Sequence, residues 1–291
     1  MFKKNPVYFK ESTISVRIIK TSLLITGFNA VLAIISFLVF YSMIYEGKFY
    51  GIVQYSSLLN LYSIMVYIEF AMFILIIPAI TASGITGEKE RKTFDLLLSS
   101  KMKPRDIILG KIESSLNMVR ILAFSSFPIL TLAMVYGGIR LRDLFFVFIY
   151  LIISSFFVGS IGIFFSSISN KTTSATALTY VCILFIFVGT YGIVYFVNSI
   201  MILQIEEIDI YKGIGGWFYI LLINPAISFL DLISSQISNI STVEELSKKF
   251  GLVEEGFVFK YWRIISITLQ VVFSLLLLWI SSRIIDPLKK K

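Results

Sequence analysis

Gly87-Glu88-Lys89-Glu90-Arg91-Lys92-Thr93-Phe94-Asp95-Leu96-Leu97-Leu98-Ser99, followed shortly by Lys103-Pro104-Arg105-Asp106-Ile107-Ile108-Leu109-Gly110-Lys111, is the one elaborate charged stretch between the long apolar runs of this chain. As a helix, Phe94, Leu97 and Leu98 fall at i, i+3 and i+4 and make one apolar edge. Glu88, Arg91, Lys92 and Asp95 fall largely elsewhere. A small amphipathic helix between two membrane spans lies against the bilayer and offers its polar face to another protein.

Outward from this segment the chain is mostly apolar. A spanning helix needs about 20 predominantly apolar residues, and six segments supply them: Thr21 to Ile44, Leu59 to Ala82, Ile112 to Tyr136, Leu144 to Ser167, Ala175 to Leu203 and Ile264 to Ile285. Hydrophobic residues make up 57% and charged residues 15%, with a mean hydropathy of +0.86, whereas soluble domains carry about 25% charged residues. The chain is therefore expected to be an all-α integral membrane protein with six transmembrane helices. The first apolar run is too long for a secretory signal and no small-x-small cleavage site follows it, so it is expected to be retained.

Orientation follows from Lys and Arg near the span ends. Lys3, Lys4, Lys10, Arg17 and Lys20 precede the first span; Lys89, Arg91, Lys92, Lys101, Lys103, Arg105 and Lys111 lie after the second; Arg283 and Lys289 to Lys291 close the chain. All three groups fall on one side of a six-span topology. The other side has Lys48, then Arg140 and Arg142, then a long loop with Glu206, Glu207, Asp209, Asp231, Glu244, Glu245, Glu254 and Glu255. Both termini and the amphipathic segment are expected in the cytoplasm of a cell with a bacterial-type plasma membrane. The net charge of +8 then reads as attraction to anionic lipid rather than to nucleic acid.

Two further segments have their own character. Residues 1–20 alternate apolar and charged positions and predict a helix along the inner membrane surface. Ile214 to Ile233 is apolar enough for a seventh span, but Asn224-Pro225 sits in its middle and proline breaks the helix ladder. A seventh crossing would also carry Lys289 to Lys291 outside. Residues 204–263 are therefore expected to form an extracytoplasmic loop containing a broken or re-entrant helical pair, which requires cover by protein wherever it dips into the membrane.

No catalytic constellation stands out. There is no histidine, and Cys182 is the single cysteine, so neither an intrachain disulfide nor a multi-cysteine metal site is expected. Gly110-Lys111 is followed by Ile112, and Arg105 stands where a P-loop needs glycine. The chain is not expected to be an enzyme. Glu69 and Arg120 are the two charged residues deep inside spans, away from their ends. Intramembrane charges are costly and functional use is the default hypothesis; at 1.5 Å per residue their depths nearly coincide, which predicts an ion pair between the second and third spans. Gly159 and Gly162, with Ser154 and Ser155, predict close helix packing in the fourth span. Trp217, Tyr219, Tyr261 and Trp262 are expected to anchor at the interface.

The run from Ala82 to Lys111 resembles the membrane subunits of ATP-binding-cassette transporters, in the type-2 exporter branch. There a Gly-Glu-x-Glu-Arg-x-Thr-x-Asp/Glu-Leu-Leu-Leu run forms the coupling helix, and Pro-x-x-Ile-x-x-Gly-Lys opens the third span. Both occur here in order. Lys92 and Lys101 depart from it, standing where Gly and Pro are common. Ser166 to Ala177 and Asn224-Pro225 are similar to weaker family landmarks. The resemblance implies a cytoplasmic coupling helix within residues 83–111 and short outer-face helices between spans 5 and 6. It assigns ATPase coupling to Glu88, Glu90, Arg91, Thr93, Phe94, Asp95, Leu97 and Leu98. It also implies partner ATPase subunits that bind ATP and Mg, and a second permease chain, identical or related. Two readings from other classes stay open: an ion-coupled secondary transporter with Glu69 as carrier, and a non-transporting membrane scaffold.

Overall fold

The computed structural model describes residues 7–8, 19–50, 55–99, 102–137, 139–203, 214–238, 240–251 and 257–286. The expected inner-surface helix of residues 1–20 and the basic residues Lys289 to Lys291 lie almost wholly outside them. Every regular element among the described residues is helical. The chain divides into two compact units, Met1–Thr179 with Ser274–Lys291, and Tyr180–Phe273.

The first unit is built around two long helices, α1 (Ile19–Tyr50) and α2 (Tyr55–Glu90), then a short α3 (Phe94–Leu98), α4 (Pro104–Gly137) and α5 (Leu141–Ile168). The helix α6 (Thr172–Leu184) starts in this unit, and α11 (Trp262–Ile284), which follows the short α10 (Phe257–Lys260), ends in it. Among the described residues five helices are long and apolar enough to span a membrane, within Thr21–Ser42, Leu59–Glu90, Leu141–Ile168, Thr172–Ile202 and Trp262–Ile284. The helix α4 carries a further apolar run, Met118 to Val135, that includes Arg120. It runs antiparallel along α2, with Lys111 beside Glu88 and Ser126 beside Glu69. It thus passes the same depth as an apolar neighbour.

The seam between α2 and α5 is parallel and close. A Cβ at Gly162 would lie 2.0 Å from Thr81 Oγ1 and 2.8 Å from Thr81 Cβ, and one at Gly159 would lie 2.9 Å from the Ile112 side chain. The small residues let two backbones meet, as expected of them. One turn further on, Ser166 Oγ accepts from the backbone N–H groups of Ile85 and Thr86 at 2.9 and 3.0 Å. The buried hydroxyls of Thr81, Thr86, Ser155 and Ser160 bond to carbonyls of their own helices, as the hydrocarbon environment demands, whereas Ser154 Oγ has no hydrogen-bond partner among the described residues.

In the second unit α6 gives way to one π-helical turn, Phe185–Gly189, before α7 (Thr190–Leu203). A 3-10 segment, Gly215–Ile223, then meets α8 (Pro225–Ile237) at 89°. The break falls at Asn224-Pro225, where the sequence placed it. Asn224 is fully buried and uses its whole amide. Its Oδ1 accepts from Ala226 N–H at 2.9 Å and caps α8, as Asn does at helix starts. Its Nδ2 donates to Phe187 O and to Thr190 Oγ1, both at 2.9 Å, while Thr190 Oγ1 donates to Ile186 O. The carbonyls loosened by the π turn are thus taken up by side chains. Across the break, Ser266 Oγ donates to Leu222 O at 2.7 Å. Asp231 holds α9 (Thr242–Lys249) through Ser241 Oγ at 2.5 Å and pairs with Arg263 Nε at 3.0 Å. Phe218, Phe250 and Trp262 form the apolar centre of this unit. Trp262 is 2% exposed, so it is a core residue and not the interfacial anchor expected for it.

Two substitutions probe these contacts by thermal melting in detergent. Gly162→Ala is expected to cost about 1–3 kcal/mol through overpacking. Adding Thr81→Ala should relieve it only in part, because the Thr81 Cβ contact at 2.8 Å remains. Asn224→Asp keeps the cap on α8 but points a carboxylate oxygen at Phe187 O, so it should destabilise at least as much as Asn224→Ala, by about 2 kcal/mol. A clearly milder Asp variant would show that the cap outweighs the π-turn contacts.

Candidate functional site

The charged segment folds into the meeting point of several helix ends in the first unit. The helix α2 does not stop at Ala82; it runs on to Glu90, so Gly87 to Glu90 are its last turn rather than part of a separate amphipathic helix. That last turn ends in a Schellman arrangement: Lys92 N–H donates to Lys89 O and Thr93 N–H to Glu88 O, both at 3.0 Å. The motif needs a left-handed residue just past the helix, and that residue is Lys92, at φ 57°. This gives a backbone reason for glycine at this position in the similar permeases, and Lys92 carries the strain of departing from it.

Three consecutive side chains of the same turn each bind a different helix. Glu88 Oε1 pairs with Lys111 Nζ of α4 at 2.5 Å, with Lys111 only 5% exposed. The two sequence motifs thus meet through their charged residues. Lys89 Nζ donates to Ser167 O at 2.7 Å and Ser169 O at 2.8 Å, satisfying carbonyls that the C-terminus of α5 leaves open. Glu90 Oε1 accepts from Thr172 N–H at 2.7 Å and from Thr172 Oγ1 at 3.0 Å, placing a carboxylate at the N-terminus of α6, where the helix dipole favours it. Lys89 also lies over the Phe94 ring, 5.8 Å from its centroid. Nothing in its periodicity marks Lys89, and it was not among the candidate residues; the open carbonyls at the Ser166-Ser167-Ile168-Ser169 landmark are the signal that would have found it.

The short helix α3 turns its polar side outward, as expected, while its apolar edge meets protein. Phe94, Leu97 and Leu98 are partly buried and pack against a core of Ile85, Ile107, Ile108, Ile112, Ile163, Leu278 and Ile285. Arg91, Lys92, Thr93, Asp95 and Leu96 are exposed, Leu96 by 72%. Of the residues expected to couple to a partner, then, Glu88, Glu90, Phe94, Leu97 and Leu98 tie the fold together, and Arg91, Thr93 and Asp95 form an outward surface centred on Leu96.

The expected pair of Glu69 and Arg120 is not formed among the described residues. Glu69 is fully buried, and its Oε1 lies 2.5 Å from Ser126 Oγ. Ser126 is six residues beyond Arg120, about 9 Å further along α4. The depth estimate took span starts at Leu59 and Ile112, but α2 begins at Tyr55 and α4 at Pro104, and the Glu88–Lys111 contact fixes their register differently. Arg120 is half-buried, with its Nε enclosed and without a hydrogen-bond partner among the described residues. Asn224 and Pro225 belong to the second unit. Among the described residues no group of three or more His, Cys, Asp or Glu could hold a metal.

A family model described as ABC-2 family transporter protein matches residues 42–283. The chain belongs to the ABC-2 transporter family. No curated protein matches it. This ABC-2 permease is a multi-pass membrane protein and the non-catalytic membrane component of an ABC transporter, a family that works with ABC ATPases.

Glycine at position 92 should relieve the left-handed strain, so Lys92→Gly is expected to raise stability by about 1 kcal/mol. Lys92→Ala keeps a Cβ and should stay close to wild type. Chemical or thermal unfolding of the purified permease checks both; equal effects of Gly and Ala would contradict the strained geometry.

Proposed function

We propose that the permease forms the substrate path of an ATP-driven exporter and receives the power stroke through α3. The observation that carries this reading is the set of ties from Glu88, Lys89 and Glu90 to α4, α5 and α6. A force applied at the exposed face of Arg91, Asp95 and Leu96 reaches the ends of four long helices at once, because those ends share one turn of α2. Closure of partner ATPases on ATP and Mg would supply that force. Coupling of this kind requires that nucleotide and substrate favour different global states. The basic flanks of this end support a cytoplasmic position for it and for both termini, in a cell with a bacterial-type plasma membrane. A second permease chain completes the path, and membrane lipids surround it. The 89° helix pair acts as a re-entrant element on the outer side: Asn224 bonds to Thr190, which lies about 20 Å along the helix from the Leu203 end of α7.

Family membership favours this reading over an ion-coupled carrier centred on Glu69 or a non-transporting scaffold. The test uses exposed positions only, since Glu90 is part of the scaffold. Asp95→Arg with Leu96→Asp should leave membrane abundance and melting temperature unchanged, but abolish copurification of an ABC ATPase and its stimulation by the permease. Intact copurification and stimulation would refute docking through α3.

A further inference from the structure

A cleft of 520 Å³ opens beside the last turn of α2, between the start of α1, the end of α2 and the start of α4. It lies entirely in the first unit, and none of the ties described above fills it. Its lining changes character along its length. At the deep end are Leu24, Ile80 and Met118; in the middle are Thr21, Ser83, Ser114 and Ser115; at the aqueous end are Glu88, Glu90, Arg91 and Lys111, with Thr172 held by Glu90. Three helices contribute to the same gradient independently, and from Ile80 to Arg91 it extends about 16 Å. Apolar, then hydroxyl, then charged is the order of groups in a glycerophospholipid: acyl chain, ester, headgroup.

The charged end also has a chemistry of its own. Lys111 is taken by Glu88 Oε1, but the second oxygen, Glu88 Oε2, is enclosed and has no hydrogen-bond partner among the described residues. Arg91 is exposed, and none of the ion pairs among the described residues includes it. One cation and one carboxylate oxygen are thus unpartnered at the same end of a cleft whose four lining charges, Glu88, Glu90, Arg91 and Lys111, sum to zero. Such a site suits a zwitterion that carries a phosphate and a hydrogen-bonding ammonium. A quaternary ammonium has no N–H to give Glu88, and an anionic headgroup without an amine leaves that oxygen unmatched. A free phosphoamine would satisfy the charges but not the apolar deep end.

We propose that this cleft holds one phosphatidylethanolamine-type lipid of the leaflet that borders the charged end, with its phosphate on Arg91 and its ammonium on Glu88. The lipid would be resident, seated next to the turn that joins the helices rather than in the path of cargo. The inference does not depend on the transport reading, since binding is measured without an ATPase.

Gly87 supplies the decisive variant. It lines the cleft, and a Cβ built there meets nothing within 4 Å. The side chain of Gly87→Leu therefore starts into open space and reaches into the cleft. The full chain is reconstituted in vesicles of equal parts phosphatidylethanolamine, phosphatidylglycerol and phosphatidylcholine, extracted, and examined by native mass spectrometry beside a melting curve. Wild type should retain one phosphatidylethanolamine per chain, at least tenfold above the other two lipids. Gly87→Leu should lose it at unchanged melting temperature, and Arg91→Ala should reduce it several-fold. Soluble phosphoethanolamine at millimolar concentration should neither displace the lipid nor raise the melting temperature. Should Gly87→Leu fail to fold, Arg91→Ala alone decides. Undiminished retention in the folded variants overturns the site. Equal retention of phosphatidylcholine overturns the headgroup assignment, and displacement by phosphoethanolamine overturns the lipid in favour of a free ligand.

Discussion

Helix ends carry backbone groups that the helix cannot satisfy for itself, and in the first unit several such ends meet at one turn of α2. The permease resolves this with side chains rather than with solvent. Lys89 takes carbonyls at the end of α5, Glu90 takes the first N–H of α6, and the Schellman bonds close α2 itself. Glu88 adds the pair with Lys111 at the start of α4. Ends that would fray separately are held as one body, with α3 on its outer side. The apolar edge of α3 faces inward because that body offers it a core, and burial in protein leaves only Leu96 and its polar neighbours outside.

The second unit obeys the same constraint at the opposite kind of defect. A helix broken at Asn224-Pro225 and a helix loosened by a π turn each expose carbonyls, and they are matched to one another through Asn224 and to α11 through Ser266. π turns gather at functional places in helices, and this one lies beside the sharpest bend among the described residues. Asp231, counted from sequence only among the acidic residues of the outer side, is nearly buried and joins α8, α9 and α11.

Much of the architecture was legible because membrane helices write themselves in long apolar runs. The break at Asn224-Pro225 was legible because proline has no N–H. The close seam at Gly162 was legible from its missing side chain. Helix limits were less so: a spanning helix does not stop where the hydrocarbon stops, so Gly87 to Glu90 looked like the start of a separate helix when they were the end of α2. The same misplacement of helix limits put Glu69 and Arg120 at one depth, which the structure does not. Periodicity also could not say what the apolar edge of α3 faces, since lipid, partner and protein core demand the same pattern. The role of Lys89 was hidden for a simpler reason: its partners are carbonyl oxygens, which every residue carries and no sequence shows.

The exposed turn at Arg91 and Lys92 has a consequence for the chain's continuity. It joins α2 to α3 outside any regular helix, and every tie described for the end of α2 crosses it, from Glu88, Lys89 and Glu90 on one side to Lys111, Ser167 and Thr172 on the other. The same is true of Thr81 with Gly162 and Glu69 with Ser126. Covalent linkage at this point is therefore redundant with the packing. The permease has the makings of a split protein: two fragments, made separately and parted after Lys92, carry complementary halves of each of these contacts and the information to find one another in the membrane.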